Sequence, residues 1–121
     1  PSKGRLDIKK GGVFPVTQGA RVLALELGLE ETSTCDRLLG VARAGVLSQD
    51  YAQGLAQAFS FLQTLRAQAQ AEAVRQGRAP DNLLEPARLS GLDRDRLKDC
   101  LTLVLEFQSL LHSRYGLRLM S

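Results

Sequence analysis

The sequence predicts an all-α fold, a helical bundle of about four helices, two long and two short, with a short extended N-terminal segment. Apolar residues make up 44% of the 121 residues, which is enough to fill the core of a single domain. Leu and Ala dominate while aromatic residues reach only 5%, and unbranched side chains lose little rotamer freedom in a helix. Val and Ile are few, which argues against an extensive sheet.

The two short helices are predicted from apolar spacing and from residues that favour helix ends. Apolar side chains recur on one helical face from about 15 to 27, and Gly28 follows as a stop signal. A second helix is expected to begin near Thr34, where Ser33 or Thr34 can cap its N-terminus. Gly45 is expected to end it.

The two long helices are predicted from the same two signals, apolar spacing and residues that favour helix ends. The third is predicted from the cap Ser48 to about Gln76 and the fourth from the cap Ser90 to about Tyr115. The apolar stripe of the third consists of Tyr51, Leu55, Ala58, Leu62, Leu65 and Ala69. Between these helices, two prolines are expected to order the loop at 77–90.

The fourth helix carries an unusually broad apolar arc. Its members are Leu97, Cys100, Leu101, Leu103, Val104, Leu105, Phe107, Leu110 and Leu111. Such an arc predicts burial on two sides, either in the centre of the bundle or against another domain. Gln108 lies within the arc and needs hydrogen-bond partners, for which the loop at 80–82 is a candidate. His112 is expected to be a packed core histidine.

The N-terminal segment differs from the rest. Residues 5–9 alternate loosely and predict a short strand, which Gly11 and Gly12 then break. No partner strand is evident, so the segment either lies along the bundle or pairs with sequence missing upstream. The two glycines beside Lys9 and Lys10 are interpreted as a plain turn in preference to an anion cradle.

Composition and motifs argue against several functional classes. The net charge is +3, with 16 Lys and Arg against 13 Asp and Glu along most of the chain, so no basic nucleic-acid face is predicted. Cys35 and Cys100 are interpreted as reduced, buried cytosolic thiols, and one histidine argues against a zinc site. No nucleophile elbow or phosphate-binding loop is present, and no metal or catalytic residue is predicted. Since no long apolar run appears, a cytoplasmic protein without a membrane partner is expected.

Polar residues at the edges of apolar stripes are the candidates for binding. Arg66 lies between Phe59 and Leu62 on the third helix, and Gln70 follows one turn later. An arginine there either pairs within the fold or contacts an anionic ligand. Arg21 flanks the stripe of the first helix, where a solvated or salt-bridged role is the default.

Taken together, the motifs resemble the nucleotidyltransferase substrate-binding domain of bacterial proteins that also carry CBS domains. The resemblance rests on Leu6-Asp7-Ile8-Lys9-Lys10-Gly11-Gly12, Ala20–Leu25, Thr34–Leu38, Ala44–Ser48, Leu65-Arg66 with Gln70, Pro80-Asp81-Asn82, Pro86, Leu89-Ser90, Leu97-Lys98, Gln108 and Arg114-Tyr115. It covers nearly the whole chain in order. Two departures are Ala69, where family members often have histidine, and the absence of the helix and extended segment with which the family domain usually starts.

The resemblance implies a single accessory domain over 1–121, a fragment of a longer multidomain signalling protein, with no enzyme activity of its own. Transfer chemistry, with Mg²⁺ and a nucleoside triphosphate, would belong to a neighbouring uridylyltransferase-like domain of the same chain, and the domain itself would hold no cofactor. A nucleotide or an acceptor protein is the implied ligand. The candidate substrate-binding residues are Lys9, Arg21, Arg66, Gln70 and Asn82.

A second hypothesis is a docking or dimerisation module without a ligand of its own. In that case the arc of the fourth helix, through Leu103, Phe107 and Leu110, would cover another domain or form a homodimer. The arginines would then only make salt bridges.

Overall fold

The computed structural model describes residues 4–116 and confirms the all-α prediction. Its four helices are α1 (Phe14–Leu27), α2 (Thr34–Arg43), α3 (Gln49–Arg75) and α4 (Gly91–Tyr115). Two short strands, β1 (Leu6–Asp7) and β2 (Leu83–Leu84), pair antiparallel. A π-helical turn at Lys9–Val13 leads from β1 into α1, and a 3₁₀ turn at Pro86–Arg88 follows β2.

The predicted helix ends are confirmed. Ser33, Ser48 and Ser90 cap α2, α3 and α4, and each hydroxyl accepts a hydrogen bond from the backbone N–H three residues on, at 3.1 Å. These bonds satisfy amide groups that have no carbonyl partner within a helix. Gly28 and Gly116 end α1 and α4 in the left-handed conformation, at φ 68° and 63°. Glycine adopts this conformation without a Cβ penalty.

The core is a single apolar cluster to which all four helices and the N-terminal segment contribute. Its largest fully buried side chains are Ile8, Val16, Leu23, Leu38, Val41, Leu55, Leu62, Leu65, Val104 and Phe107. The predicted stripe of α3 is buried through its middle, while Tyr51 and Ala69 at its ends are half-buried. The Tyr51 hydroxyl donates to the Leu103 carbonyl of α4 at 2.8 Å, and burial raises the pKa of Tyr51 to about 12.

The broad arc of α4 is used mainly inside the bundle. Cys100, Val104 and Phe107 are buried, as predicted for the central alternative, whereas Leu105 is 65% exposed. The prediction for His112 is wrong, because this residue lies on the exposed side of α4. Cys35 is only half-buried, in contrast to the expectation for both thiols.

The N-terminal strand has its partner within the chain, so of the two alternatives the one with a mate missing upstream is wrong. Leu6 pairs with Leu84 and Asp7 with Leu83. A two-residue strand inside a proline-flanked loop has too few positions to show alternation, and its partner lies more than 70 residues away in sequence. The loop between α3 and α4 therefore lies beside the N-terminal segment.

The glycine pair does not form the plain turn that was expected. Gly11 and Gly12 belong to the π-helical turn, whose first backbone amides, at Lys9 and Lys10, donate to Asp7 Oδ1 at 3.1 and 3.0 Å. A Cβ on Gly12 would lie 3.2 Å from Leu62 Cδ1. The turn therefore needs a small residue here to pack against α3.

Gly19 of α1 lies directly against the side chains of Phe107 and Leu111 on α4. A Cβ at this position would lie 2.7 Å from Leu111 Cδ1 and 2.8 Å from Phe107 Cζ. Since Phe107 is fully buried, its ring has no free space into which it can move. Gly19 therefore sets the spacing of the two helices.

The same two helices are joined at their C-terminal ends by Glu26. Arg114 donates to both carboxylate oxygens at 2.9 and 2.8 Å, and the Tyr115 hydroxyl donates to Oε1 at 2.6 Å. The bonds from Arg114 and Tyr115 lower the pKa of Glu26 from 4.5 to about 2. This bidentate arrangement fixes the last turns of α1 and α4 against each other.

Substitution of Gly19 by alanine is expected to destabilise the domain by about 1–3 kcal/mol, because the added methyl group displaces a packed ring. The matched control is Gly54→Ala in α3, where the Cβ would lie 3.9 Å from Leu103 Cδ1. That change is expected to stabilise by about 0.5–1 kcal/mol, since alanine loses less backbone freedom than glycine in a helix. Urea unfolding followed by circular dichroism measures both. Equal stability of the two variants would contradict the close approach.

The Glu26 cluster predicts a pH-dependent contribution to stability. Because the pKa of Glu26 is lower in the folded state than its ordinary 4.5, the contribution is fully present above pH 4.5 and is lost as the pH falls towards about 2. The difference in Tm between the unsubstituted chain and Glu26→Gln should therefore shrink across this range. A difference that stays constant from neutral pH to about 2 argues against the assignment.

Candidate functional site

Three of the predicted binding residues meet in one hydrogen-bonded group, here named the Asn82 cluster (Arg66, Gln70 and Asn82). The Asn82 side-chain oxygen accepts from Arg66 Nε at 2.8 Å and from Gln70 Nε2 at 3.3 Å. Arg66 and Gln70 lie one turn apart on α3, so both can reach one acceptor. All three side chains are half-buried.

Two hydrogen bonds from backbone N–H groups fix the position of Asn82 in the loop. Its carbonyl accepts the Ile8 N–H at 2.9 Å, just before the π-helical turn. Asp81 Oδ1 accepts the Leu83 N–H at 3.1 Å, forming a local turn that leads into β2. Pro80 precedes this turn and Pro86 follows the strand. One residue therefore joins β1, the connecting loop and α3.

The sequence left two roles open for Arg66, pairing within the fold or contact with an anionic ligand, and the structure shows the first of them at one nitrogen. Its Nε has an intramolecular partner, as the structural alternative required, and that partner is Asn82. Within residues 4–116 its two terminal nitrogens make no hydrogen bond or ion pair. A guanidinium held at Nε keeps its outer donors free for a carboxylate or phosphate group.

The predicted tie between Gln108 and the loop is not formed. The loop packs on α3, where Arg66 and Gln70 use the Asn82 oxygen, and Gln108 is half-buried on α4. Sequence spacing placed Gln108 in an apolar arc, but it could not show which helix the loop would contact.

Lys9 and Arg21, the other two predicted binding residues, lie at different distances from the Asn82 cluster. Lys9 is exposed on the π-helical turn, directly after the residue whose amide binds Asn82. This turn packs against α3. Arg21 is exposed on α1, twelve residues after Lys9, which corresponds to roughly 18 Å along a helix axis. The structure therefore places Lys9 beside the Asn82 cluster and Arg21 away from it.

Two surface clefts also lie along α3, and sequence reasoning did not identify them. The first, of about 530 Å³, lies between α2, α3 and the first turns of α4, with Cys35, Ser60, Phe61, Thr64 and Arg96 in its lining. Arg96 stacks over the Phe61 ring at 4.4 Å. Because Thr64 and Arg66 are two residues apart, their side chains diverge by about 200° around α3.

The second cleft, of about 480 Å³, lies between α3 and the β2 region. Charges of both signs line it, with Arg78 and Arg88 near Glu72 and Asp81. None of the five predicted binding residues lines either cleft. The polar spacing at 57, 60, 64 and 68 on α3 is the sequence signal that could have indicated the first cleft.

In the part of the chain that the structure describes, no group of three or more His, Cys, Asp or Glu side chains is placed to hold a metal ion. No helix between residues 4 and 116 combines the length and the apolar character needed to cross a membrane.

The Asn82 cluster predicts a specific stability pattern. Asn82→Ala is expected to cost about 1–3 kcal/mol, because Arg66 and Gln70 lose their shared acceptor in a half-buried site. Asn82→Asp keeps an acceptor oxygen beside the guanidinium and should remain close to the unsubstituted chain. Thermal unfolding of both variants at neutral pH measures the difference, and an alanine variant as stable as the aspartate variant would refute the role of the cluster.

Comparison with known proteins identifies the family. No curated protein and no solved structure matches the chain. The model of one family, described as putative nucleotidyltransferase substrate binding domain, matches residues 1–115. The match covers all four helices and the Asn82 cluster, and the chain therefore belongs to this family of nucleotidyltransferase substrate-binding domains.

Proposed function

We propose that this chain is a non-catalytic accessory domain that binds a substrate of a nucleotidyltransferase, with Arg66 as the contact for an anionic group. The observation that carries the proposal is the Asn82 cluster, in which Arg66 is fixed through Nε while its terminal nitrogens remain available. The family description supports the substrate-binding role.

Fixing the guanidinium reduces the cost of binding. A free arginine side chain loses rotamer freedom when it orders on a ligand, and a held one has lost most of it already. Charge-assisted hydrogen bonds to phosphate are also stronger than neutral ones. Lys9 on the adjacent turn would add positive charge, and the Gln70 amide carbonyl would offer an acceptor to the same ligand.

The transfer reaction itself belongs to a neighbouring catalytic domain under this proposal. That domain would bind Mg²⁺ and carry out transfer from the nucleoside triphosphate, while this domain would contact the phosphates of the nucleotide or an anionic group of an acceptor protein. The resemblance to CBS-domain proteins with uridylyltransferase-like domains supports a bacterial, cytoplasmic signalling context. Incubation of this chain with a triphosphate and Mg²⁺ should yield no transfer product.

The second candidate function is a docking module. The surface expected for it was the face of α4 that carries Leu103, Phe107 and Leu110. Phe107 is fully buried and Leu103 and Leu110 pack against the core, so this face of α4 is largely used within the domain. Exposed apolar residues occur elsewhere on the domain, namely Phe14, Val22 and Leu25 on α1, Val74 on α3, and Leu92 and Leu105 on α4.

Binding of nucleoside triphosphates tests the proposal directly. Isothermal titration of the chain with ATP, GTP, CTP and UTP should give a measurable Kd for at least one of them. Arg66→Ala is expected to weaken that affinity at least tenfold, which corresponds to about 1.4 kcal/mol, because the phosphate loses its fixed partner. Arg66→Lys should recover only part of it, since lysine cannot form the bidentate contact.

Arg94→Ala provides the matched control, because Arg94 is an exposed arginine on α4 outside the cluster. Its affinity should equal that of the unsubstituted chain. Thermal unfolding of each variant separates lost binding from lost folding. Equal affinity of Arg66→Ala and Arg94→Ala would rule out a ligand role for Arg66.

A further inference from the structure

The first cleft, between α2, α3 and the first turns of α4, carries one acidic and one basic side chain. In the part of the chain that the structure describes, the charged residues of its lining are Asp93 and Arg96 of α4. The wall from α3 is polar and uncharged, with Gln57, Ser60 and Thr64 recurring every three or four residues along one helix face. With a volume of about 530 Å³, the cleft has room for a small molecule.

Asp93 and Arg96 do not neutralise each other. Opposite charges three residues apart on a helix can pair, because their Cβ atoms are only about 5–6 Å apart. Among the described residues, however, neither side chain makes an ion pair or a hydrogen bond. The Arg96 guanidinium stacks instead over the Phe61 ring, 4.4 Å from its centroid. Stacking orders the guanidinium and leaves its N–H groups free to donate.

The Asp93 carboxylate is not used by the helix cap. The Ser90 hydroxyl accepts the Asp93 N–H at 3.1 Å. In a complete capping box, the acid at this position accepts the N–H of the capping residue in return. Within the described chain that second bond is not formed, although Asp93 is half-buried. Its oxygens therefore remain available to a donor in the cleft.

The side chains from α3 supply uncharged hydrogen-bonding groups. The Ser60 hydroxyl has a weak contact, at 4.0 Å, with Cys35 Sγ. The Thr64 hydroxyl donates to the Ser60 carbonyl at 3.1 Å, which leaves its oxygen as an acceptor. The Gln57 amide is exposed. This wall can therefore bind a hydroxyl or amide group of a ligand.

The two charges select one class of ligand. A phosphate or another simple anion would meet the Asp93 carboxylate, and a simple cation would meet the Arg96 guanidinium, so each would gain one attraction and one repulsion. A zwitterion gains two attractions. In a free α-amino acid, the ammonium nitrogen and the carboxyl carbon are attached to one carbon, roughly 2.5 Å apart. This separation suits two side chains that begin on neighbouring turns of one helix face.

We propose that the first cleft binds a free α-amino acid with a hydroxyl or amide side chain. Arg96 receives its carboxylate, Asp93 receives its ammonium group, and the polar wall of α3 contacts its side chain. The inference goes beyond the proposed function and does not depend on it, because Arg66, Gln70 and Asn82 do not line this cleft.

Isothermal titration of this chain with serine, threonine, asparagine and glutamine tests the site. At least one of them should bind with a Kd of about 1 mM or lower. Its N-acetyl derivative lacks the ammonium charge and its α-carboxamide lacks the carboxylate, so each should bind at least tenfold more weakly. Both derivatives test the charges without any substitution in the protein. Absence of binding by all four amino acids, or full affinity of either derivative, would overturn the proposal.

Substitutions then assign the two charges to their residues. Asp93→Asn and Arg96→Gln each remove one charge and keep a polar side chain, and each should weaken the affinity at least tenfold. The matched controls are Asp95→Asn and Arg94→Gln, at exposed positions of α4 that do not line the cleft. Both controls should bind as the unsubstituted chain does, and thermal unfolding shows that each variant is folded. Equal affinities of the cleft variants and their controls would exclude this site.

Discussion

The attachment of the N-terminal segment and the long loop to α3 depends on one asparagine. Asn82 accepts a backbone amide from Ile8 through its carbonyl and two side-chain donors from α3 through its amide oxygen. Without these bonds, the loop between the two long helices would be held by the two-residue strand pair and by the packing of Leu84 and Leu89 on the core. So short a strand pair is marginal in water. The polar bonds and the buried Ile8 side chain therefore support each other, since each orders the segment that makes the other.

The same geometry explains why a structural role and a binding role for Arg66 are compatible. A hydrogen bond at Nε removes the freedom of the side chain but leaves the terminal nitrogens uncommitted. Polar side chains that stabilise a fold commonly use all their hydrogen-bond donors within the protein. Arg66 uses Nε to bind Asn82, whose backbone carbonyl accepts the N–H of Ile8, the residue before Lys9. The clefts beside α3 are lined by charges of both signs, and in the first of them Arg96 is ordered by stacking on Phe61 and not by a hydrogen bond.

Local features of the fold were predictable from the sequence, and long-range pairings were not. Ser33, Ser48 and Ser90 cap helices because the capping bond joins residues three apart, which a sequence displays directly. The pairing of Leu6 with Leu84 and of Arg66 with Asn82 depends on how the loop packs, and no local pattern encodes it. His112 shows the limit of helical periodicity, since one step of 100° separates half-buried Leu111 from an exposed position.

Helix α1 is fixed to the bundle along its length. Its N-terminal end continues from the π-helical turn that follows Ile8, whose N–H binds Asn82. Gly19 packs it directly on the buried Phe107, and Glu26 fixes its last turn to Arg114. Because α1 is anchored at both points, it cannot shift on α4 without breaking packed contacts. The turn that carries Lys9 is therefore continuous with an anchored helix, so Lys9 and the Asn82 cluster keep a fixed relation to the rest of the bundle, which lowers the entropic cost of binding a ligand there.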